Sequence, residues 1–137
     1  MSFDLFSLRG RVALVTGSSR GLGFGMAKAL GQAGAKVYLH GRDAKALAAR
    51  QDELKAAGIT AATLAFDVTD EAAAKAGIEK VANENGGKLD ILVANAGINL
   101  RKPILEYPTS DFNTVIATNL TSCFVMAREA AKPMVKN

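Results

Sequence analysis

Between Val12 and Gly23 the chain runs from an apolar stretch, Val12-Ala13-Leu14-Val15, through a turn rich in glycine, into an apolar helical pattern. That order dictates a buried strand, a tight turn, and a helix whose N-terminus faces the end of the strand. The first N–H groups of a helix have no partner inside it, and the helix dipole is positive at that end. A turn of this kind therefore presents bare donors to an anion, phosphate above all. Glycine at 17, 21 and 23 lets the turn close and lets a ligand approach the backbone without a Cβ in the way. The spacing is Gly17-x-x-x-Gly21-x-Gly23, not the G-x-G-x-x-G of the older dinucleotide fingerprint, so the strand before it and the helix after it carry the argument. Glycines without that context make an ordinary turn.

The same alternation continues. Residues 12–16 read as a buried strand. Residues 23–32 read as a helix with Leu22, Met26, Ala29 and Leu30 at helical spacing, closed by Gly34. A second strand follows at 36–40. Asp43 caps a helix reaching about residue 57, with Leu47 and Leu54 on one face and Gly58 behind it. A third strand spans 61–66, and Thr69 or Asp70 starts a third helix that Gly86-Gly87 closes. Residues 89–94 form a fourth strand. After a loop with Pro103 and Pro108, Thr109 or Ser110 caps a long helix over 111–132. Strands alternating with helices predict an α/β fold, a Rossmann-type doubly wound parallel sheet with strand order 3-2-1-4.

Two segments predict an unfinished sheet. Ile91-Leu92-Val93-Ala94 has no polar alternation and reads as an interior strand buried on both faces, yet no fifth strand follows it. The last helix carries Phe112, Val115, Ile116, Leu120, Phe124 and Ala127 on one face, with Val125, Met126 and Met134 widening the apolar surface. A helix apolar on most of its circumference is buried on more than one side. We expect self-association through the helix 111–132.

Composition narrows the classes. The 137 residues are 49% hydrophobic and 22% charged, as in a soluble globular domain. One cysteine, Cys123, excludes an internal disulfide and fits a reducing compartment. One histidine, His40, leaves no His/Cys cluster, so no metal site is expected. No apolar run approaches the roughly 20 residues of a membrane span, and the N-terminus lacks a signal-peptide layout, which predicts a cytoplasmic protein. The net charge of +4 comes from 17 Lys and Arg scattered along the chain, which argues against nucleic acid.

The second strand ends at His40-Gly41-Arg42. About 20 residues beyond the glycine turn, an NAD-binding chain places an acid on the ribose 2′-hydroxyl. Here that place holds Gly41 with Arg42 beside it. A planar guanidinium suits a 2′-phosphate, so NADP is expected and NAD is the less favoured cofactor. Arg20, in the turn itself, is a second candidate for that phosphate. The alternative is two solvated arginines. Asp43 is a rival for the ribose but serves as a helix cap.

Thr16-Gly17-Ser18-Ser19-Arg20-Gly21-Leu22-Gly23, Asp67-Val68 after the third strand and Asn95-Ala96-Gly97 after the fourth together resemble the short-chain dehydrogenase/reductase family, in its order and at its spacing. The resemblance implies an NAD(P)-dependent oxidoreductase acting on an alcohol or carbonyl. Residues 1–137 would be the N-terminal part of a single NAD(P)-binding Rossmann domain, cut after the fourth strand and its long helix, with no second domain. Gly17, Ser19, Arg20, Gly21, Leu22, Gly23 and Arg42 are thus the candidates to bind the cofactor on the turn and at the second strand's end, and by the same resemblance Asp67 and Val68 hold the adenine. Asn95, Ala96 and Gly97 form the floor under the cofactor, and Asn119 is the family's catalytic asparagine. Within the family, Asp4-Leu5-Phe6-Ser7-Leu8 and the stretch from 95 to 103 most resemble gluconate 5-dehydrogenases, which interconvert D-gluconate and 5-ketogluconate. That makes a sugar acid the expected small-molecule substrate. Arg101 and Lys102 are placed to meet its carboxylate or are simply a solvated basic pair.

The family's chemistry needs a serine and, beyond it, a tyrosine with a lysine four residues on. The tyrosine is the general acid/base, and the nearby cation favours its phenolate, which otherwise forms only near pH 10. Here Tyr38 is followed four residues on by Arg42 and Tyr107 by Asp111, so neither fits. The 137 residues are expected to lack turnover alone. Two other readings are a fragment of a 3-oxoacyl carrier-protein reductase-like enzyme and a noncatalytic nucleotide-binding or dimerisation module.

Overall fold

The structure, a computed structural model, describes residues 4–136. Four parallel strands form one sheet: β1 (Val12–Val15), β2 (Lys36–Gly41), β3 (Ala61–Ala65) and β4 (Ile91–Val93), in the spatial order β3-β2-β1-β4. That is the expected order. Ala13 pairs with Val37 on one side and Ile91 on the other, and Leu14 with Tyr38 and Leu92. Every residue of β1 is buried, as the central strand of a sheet covered on both faces should be.

The crossovers are α1 (Gly21–Gln32), α2 (Ala44–Ala56) and α3 (Glu71–Glu84), followed by α4 (Thr109–Ile116) and α5 (Ser122–Met134). The core divides at the sheet. Ala13, Val15, Val37, Leu39, Leu47 and Leu54 pack with Ala27 on the α1/α2 face. Leu14, Tyr38, Ile78 and Val81 pack with Val125, Met126 and Ala130 on the α3/α5 face. Tyr38 is fully buried and still places its hydroxyl 2.7 Å from Glu84 Oε2 and within 2.9 Å of Asn85 Nδ2, so its polar end is satisfied. Asp90 ties the entry of β4 to β1 by accepting from the Val12 N–H at 2.8 Å and from Arg11 at 2.9 Å.

Three expectations are corrected. First, of the apolar positions expected to pack α1, Leu30 packs against the core but is only half-buried, and Leu22 points away from it. The buried residues of the helix are Gly23, Ala27 and Gly31, while Leu22 is 83% exposed. The fully buried positions are small because their neighbours stand close: a Cβ on Gly31 would stand 2.3 Å from the side chain of Ile59, in the segment leading into β3. Second, β4 is shorter than 89–94 and half-buried rather than interior. Leu92 joins one core and Ile91 and Val93 the other, but among the described residues only β1 pairs with it. Third, the long helix expected over 111–132 is present but runs from Thr109 to Met134 with a π turn, Ala117–Thr121, between α4 and α5, and Pro108, with no side-chain cap, stands at its start instead of Thr109 or Ser110. Its packed face is Val125, Met126 and Ala130. The other apolar face remains open, with Phe112 55%, Leu120 63% and Phe124 62% exposed. Arg128 binds Glu71 at 2.6 Å and so ties α5 to α3.

Candidate functional site

A parallel sheet brings the C-terminal ends of its strands to one edge, and a crevice opens where the strand order reverses, here between β1 and β4. A cleft of about 960 Å³ lies at that edge. Each position expected to bind the cofactor lines it: Gly17, Ser19, Arg20, Gly21, Leu22 and Gly23 from the turn, Arg42 from the end of β2, Asp67 and Val68 from beyond β3, and Asn95, Ala96 and Gly97 from beyond β4. Thr114, Ala117 and Thr118 close the far side.

The helix ends explain what the cleft can hold. Asp43 caps α2 by accepting from the N–H groups of Lys45 and Ala46, and Asp70 caps α3 by accepting from Ala73. The N-terminus of α1 has no side-chain cap. Its residue at the cap position is Arg20, whose side chain cannot accept. The open donors of α1 therefore face the cleft, where an anionic ligand can meet them. Gly17 and Gly21 adopt φ of +62° and +57°, conformations that L side chains rarely take.

Hydrogen bonds between non-adjacent segments hold the turn. The Thr16 hydroxyl accepts from the N–H groups of Asn95 and Ala96, each at 3.0 Å. Asn95 Nδ2 donates to the carbonyls of Thr16 at 3.0 Å and Gly17 at 3.1 Å. The Ser18 hydroxyl donates to the Val15 carbonyl and accepts from the His40 N–H. Arg50 reaches over from α2, with its Nε donating to the Ser19 carbonyl at 3.2 Å and its guanidinium over the Phe24 ring. Thr16, Ser18, His40 and Arg50 are the residues that sequence reasoning missed. Small polar residues at a strand's buried end were the available signal for the first two.

The charged residues differ in how they are engaged. Thr69 donates its N–H and its hydroxyl to Asp67 Oδ1, which holds the Asp67 carboxyl below its ordinary range. Arg42 is exposed, with no ion pair within 4 Å among the described residues, and its charge adds to the lowering of the Asp67 carboxyl. Lys102 pairs with Asp111, whereas Arg101 is exposed. Asn119 sits in the π turn, a type of distortion frequent at functional sites. Its side chain pairs with the Ile98 backbone: Oδ1 accepts from the Ile98 N–H and Nδ2 donates to the Ile98 carbonyl, both at 2.8 Å. It thereby fixes the loop beyond Gly97 rather than lining the cleft. Among the described residues no group of three or more His, Cys, Asp or Glu is placed to hold a metal, and no helix is long and apolar enough to cross a membrane.

A doubly wound parallel sheet with an uncapped helix end at its switch point is a Rossmann-type nucleotide-binding fold. A family model for short chain dehydrogenases matches residues 11–137, and the chain belongs to that family. It is 42% identical over 132 residues to the gluconate 5-dehydrogenase of Gluconobacter oxydans, covering 96% of this chain and 51% of that protein. The crystal structure of a gluconate 5-dehydrogenase from Burkholderia cenocepacia in complex with NADP and tartrate is 34% identical, with a TM-score of 0.88 over 97% of this chain and 52% of the other. That of a 3-oxoacyl (acyl-carrier-protein) reductase from Agrobacterium tumefaciens with NADP bound is 39% identical, with a TM-score of 0.88 over 99% and 52%. The chain thus spans about half the length of the curated relatives it matches.

Proposed function

We propose that these 137 residues form the cofactor-binding part of an NADP-dependent oxidoreductase whose substrate is a sugar acid, D-gluconate or its 5-keto form. The observation that carries the cofactor choice is Arg42, exposed in the cleft at the end of β2 where an NAD site would offer an acid. The donor set fits a dinucleotide: open N–H groups of α1 for the pyrophosphate, Arg42 with Arg20 for the 2′-phosphate, and Asp67 with Val68 for the adenine. Asn95, Ala96 and Gly97 shape the floor below it. Asn119 is the catalytic asparagine of this reading by resemblance to the family alone, and its side chain is bonded to Ile98 beside the cleft. When bound, the nicotinamide donates or accepts the hydride. Arg101, exposed beyond that floor, is the cation available to a substrate carboxylate, since Lys102 is engaged by Asp111. The open stripe of Phe112, Leu120 and Phe124 is the surface for self-association.

A 3-oxoacyl reductase-like enzyme is the second reading, supported by a structural likeness of the same extent. Binding of NADPH and NADH to wild type and Arg42→Ala tests the cofactor choice. Losing a charged hydrogen bond costs about 1.5–3 kcal/mol, so the NADPH dissociation constant should rise roughly 10- to 100-fold while that of NADH stays put. Equal losses for both cofactors contradict the role of Arg42. The 137 residues alone should give no turnover, because neither tyrosine has a lysine four residues on. A gluconate-dependent rise in NADPH absorbance from the purified chain would sink that expectation.

A further inference from the structure

The chain's one histidine stands where three strand ends meet, and the roles assigned above use its backbone N–H but not its ring. His40 lies near the end of β2 and is 2% exposed. Its Nδ1 is 3.2 Å from the Gly17 nitrogen, and its Nε2 is 3.0 Å from the Phe66 carbonyl oxygen just past β3. An amide N–H only donates and a carbonyl only accepts, so these partners assign the proton to Nε2 and the lone pair to Nδ1. The ring packs on Phe66 with centroids 4.2 Å apart. Burial keeps the imidazole neutral by pushing its pKa from 6.5 to about 4, against the opposing pull of the Phe66 carbonyl and Asp67. That is the charge state the Gly17 bond requires.

Gly17 is held on its other side as well. Its carbonyl accepts from Asn95 Nδ2, and a Cβ on it would stand 2.8 Å from Ala96 Cα. With the glycine's N–H and C=O both engaged, its backbone has one orientation. That orientation sets where the chain enters the turn whose later N–H groups open into the cleft.

We propose that His40 is the positioning residue of the phosphate turn, holding Gly17 through its N–H in the orientation that receives the cofactor's pyrophosphate. The inference rests on the reading of the cleft as an NADP site. Two amide side chains separate positioning from simple core filling. In His40→Asn the amide oxygen falls where Nδ1 stands and restores the acceptor for Gly17. In His40→Gln the amide nitrogen falls near Nε2 and restores only the donor to Phe66.

NADPH dissociation constants, melting temperatures and exchange rates of the Gly17 amide would be measured for wild type and both variants of the 137-residue chain. His40→Asn is expected to bind NADPH within about threefold of wild type and to keep the amide protected. His40→Gln is expected to bind at least about tenfold more weakly, with faster exchange, at a melting temperature no lower than that of His40→Asn. Equal affinities in the two variants, or losses that follow melting temperature alone, overturn the positioning role. Should a variant not fold, the scalar coupling between Gly17 ¹⁵N and His40 ¹⁵Nδ1 in the wild type decides. It should persist when NADPH is added, and its disappearance overturns the proposal. A wild type that binds no NADPH overturns the cofactor reading together with this one, whereas a binding wild type with indistinguishable variants removes only the role of His40.

Discussion

Gly23→Ala is expected to lower the melting temperature by roughly 10 °C and to abolish cofactor binding. The added Cβ would stand 2.3 Å from the Gly17 carbonyl oxygen and 2.5 Å from Asn95 Nδ2. Neither atom has room to retreat. The Gly17 carbonyl belongs to the clamped turn, and Asn95 Nδ2 also donates to the Thr16 carbonyl. Overpacking a rigid site costs about 1–3 kcal/mol, and a clash with backbone belongs at the top of that range. Alanine's better helix propensity returns up to about 1 kcal/mol, which is too little to offset it. Gly25→Ala is the matched control, because it lies in the same helix and nothing stands within 4 Å of its Cβ. That variant should be as stable as wild type or more so. Thermal melts of the two proteins check the pair, and equal behaviour would contradict the close approach of α1 to the turn.

Mild acid is expected to weaken the fold by about 3 kcal/mol, through His40. Its pKa in the folded protein is about 4, below the 6.5 of an exposed imidazole. As pH falls below 6.5 the unfolded chain takes up a proton that the native state refuses. The stability contributed by the neutral ring is therefore complete above pH 6.5 and is lost progressively down to about pH 4. Urea unfolding at pH 7, 5.5 and 4.5 should show this slope in wild type and lose it in His40→Asn. Asp67 is also held below its ordinary range, by Thr69, but as a carboxylate it adds its own loss at lower pH. Stability that stays level from pH 7 to 4.5 would contradict a buried neutral His40.

Much of this architecture is written in local pattern. The order of strands and helices, the caps Asp43 and Asp70, and the closing glycines Gly34 and Gly58 follow from short-range chemistry, and the structure has each of them in place. The cleft positions were legible for a related reason, since a parallel sheet necessarily collects the residues that follow its strands. What was not legible depends on distance in space. Apolar periodicity selected Leu22, Met26, Ala29 and Leu30 in α1, yet only Leu30 of these packs on the core, and the fully buried positions are the small Gly23, Ala27 and Gly31, set against the turn and Ile59. The helix over 111–132 looked apolar nearly all round, and the pattern could not say that Val125 and Met126 face the sheet while Phe112 and Phe124 stay open. Thr16, Ser18 and His40 matter through bonds to residues 22 to 80 positions away, which no window of sequence contains.

The bare end of α1 has a thermodynamic side. Where α2 and α3 carry an aspartate of their own, this helix leaves its N-terminal donors for an outside group to complete. A phosphate seated there stands in for the missing capping side chain, and the energy of that contact is then shared between affinity and folding. A ligand held at 100 times its dissociation constant adds about 2.7 kcal/mol to the folded state, comparable with what acid is expected to remove. The protein's lifetime in a cell would then follow the local supply of its ligand, with the first turn of one helix as the point of exchange.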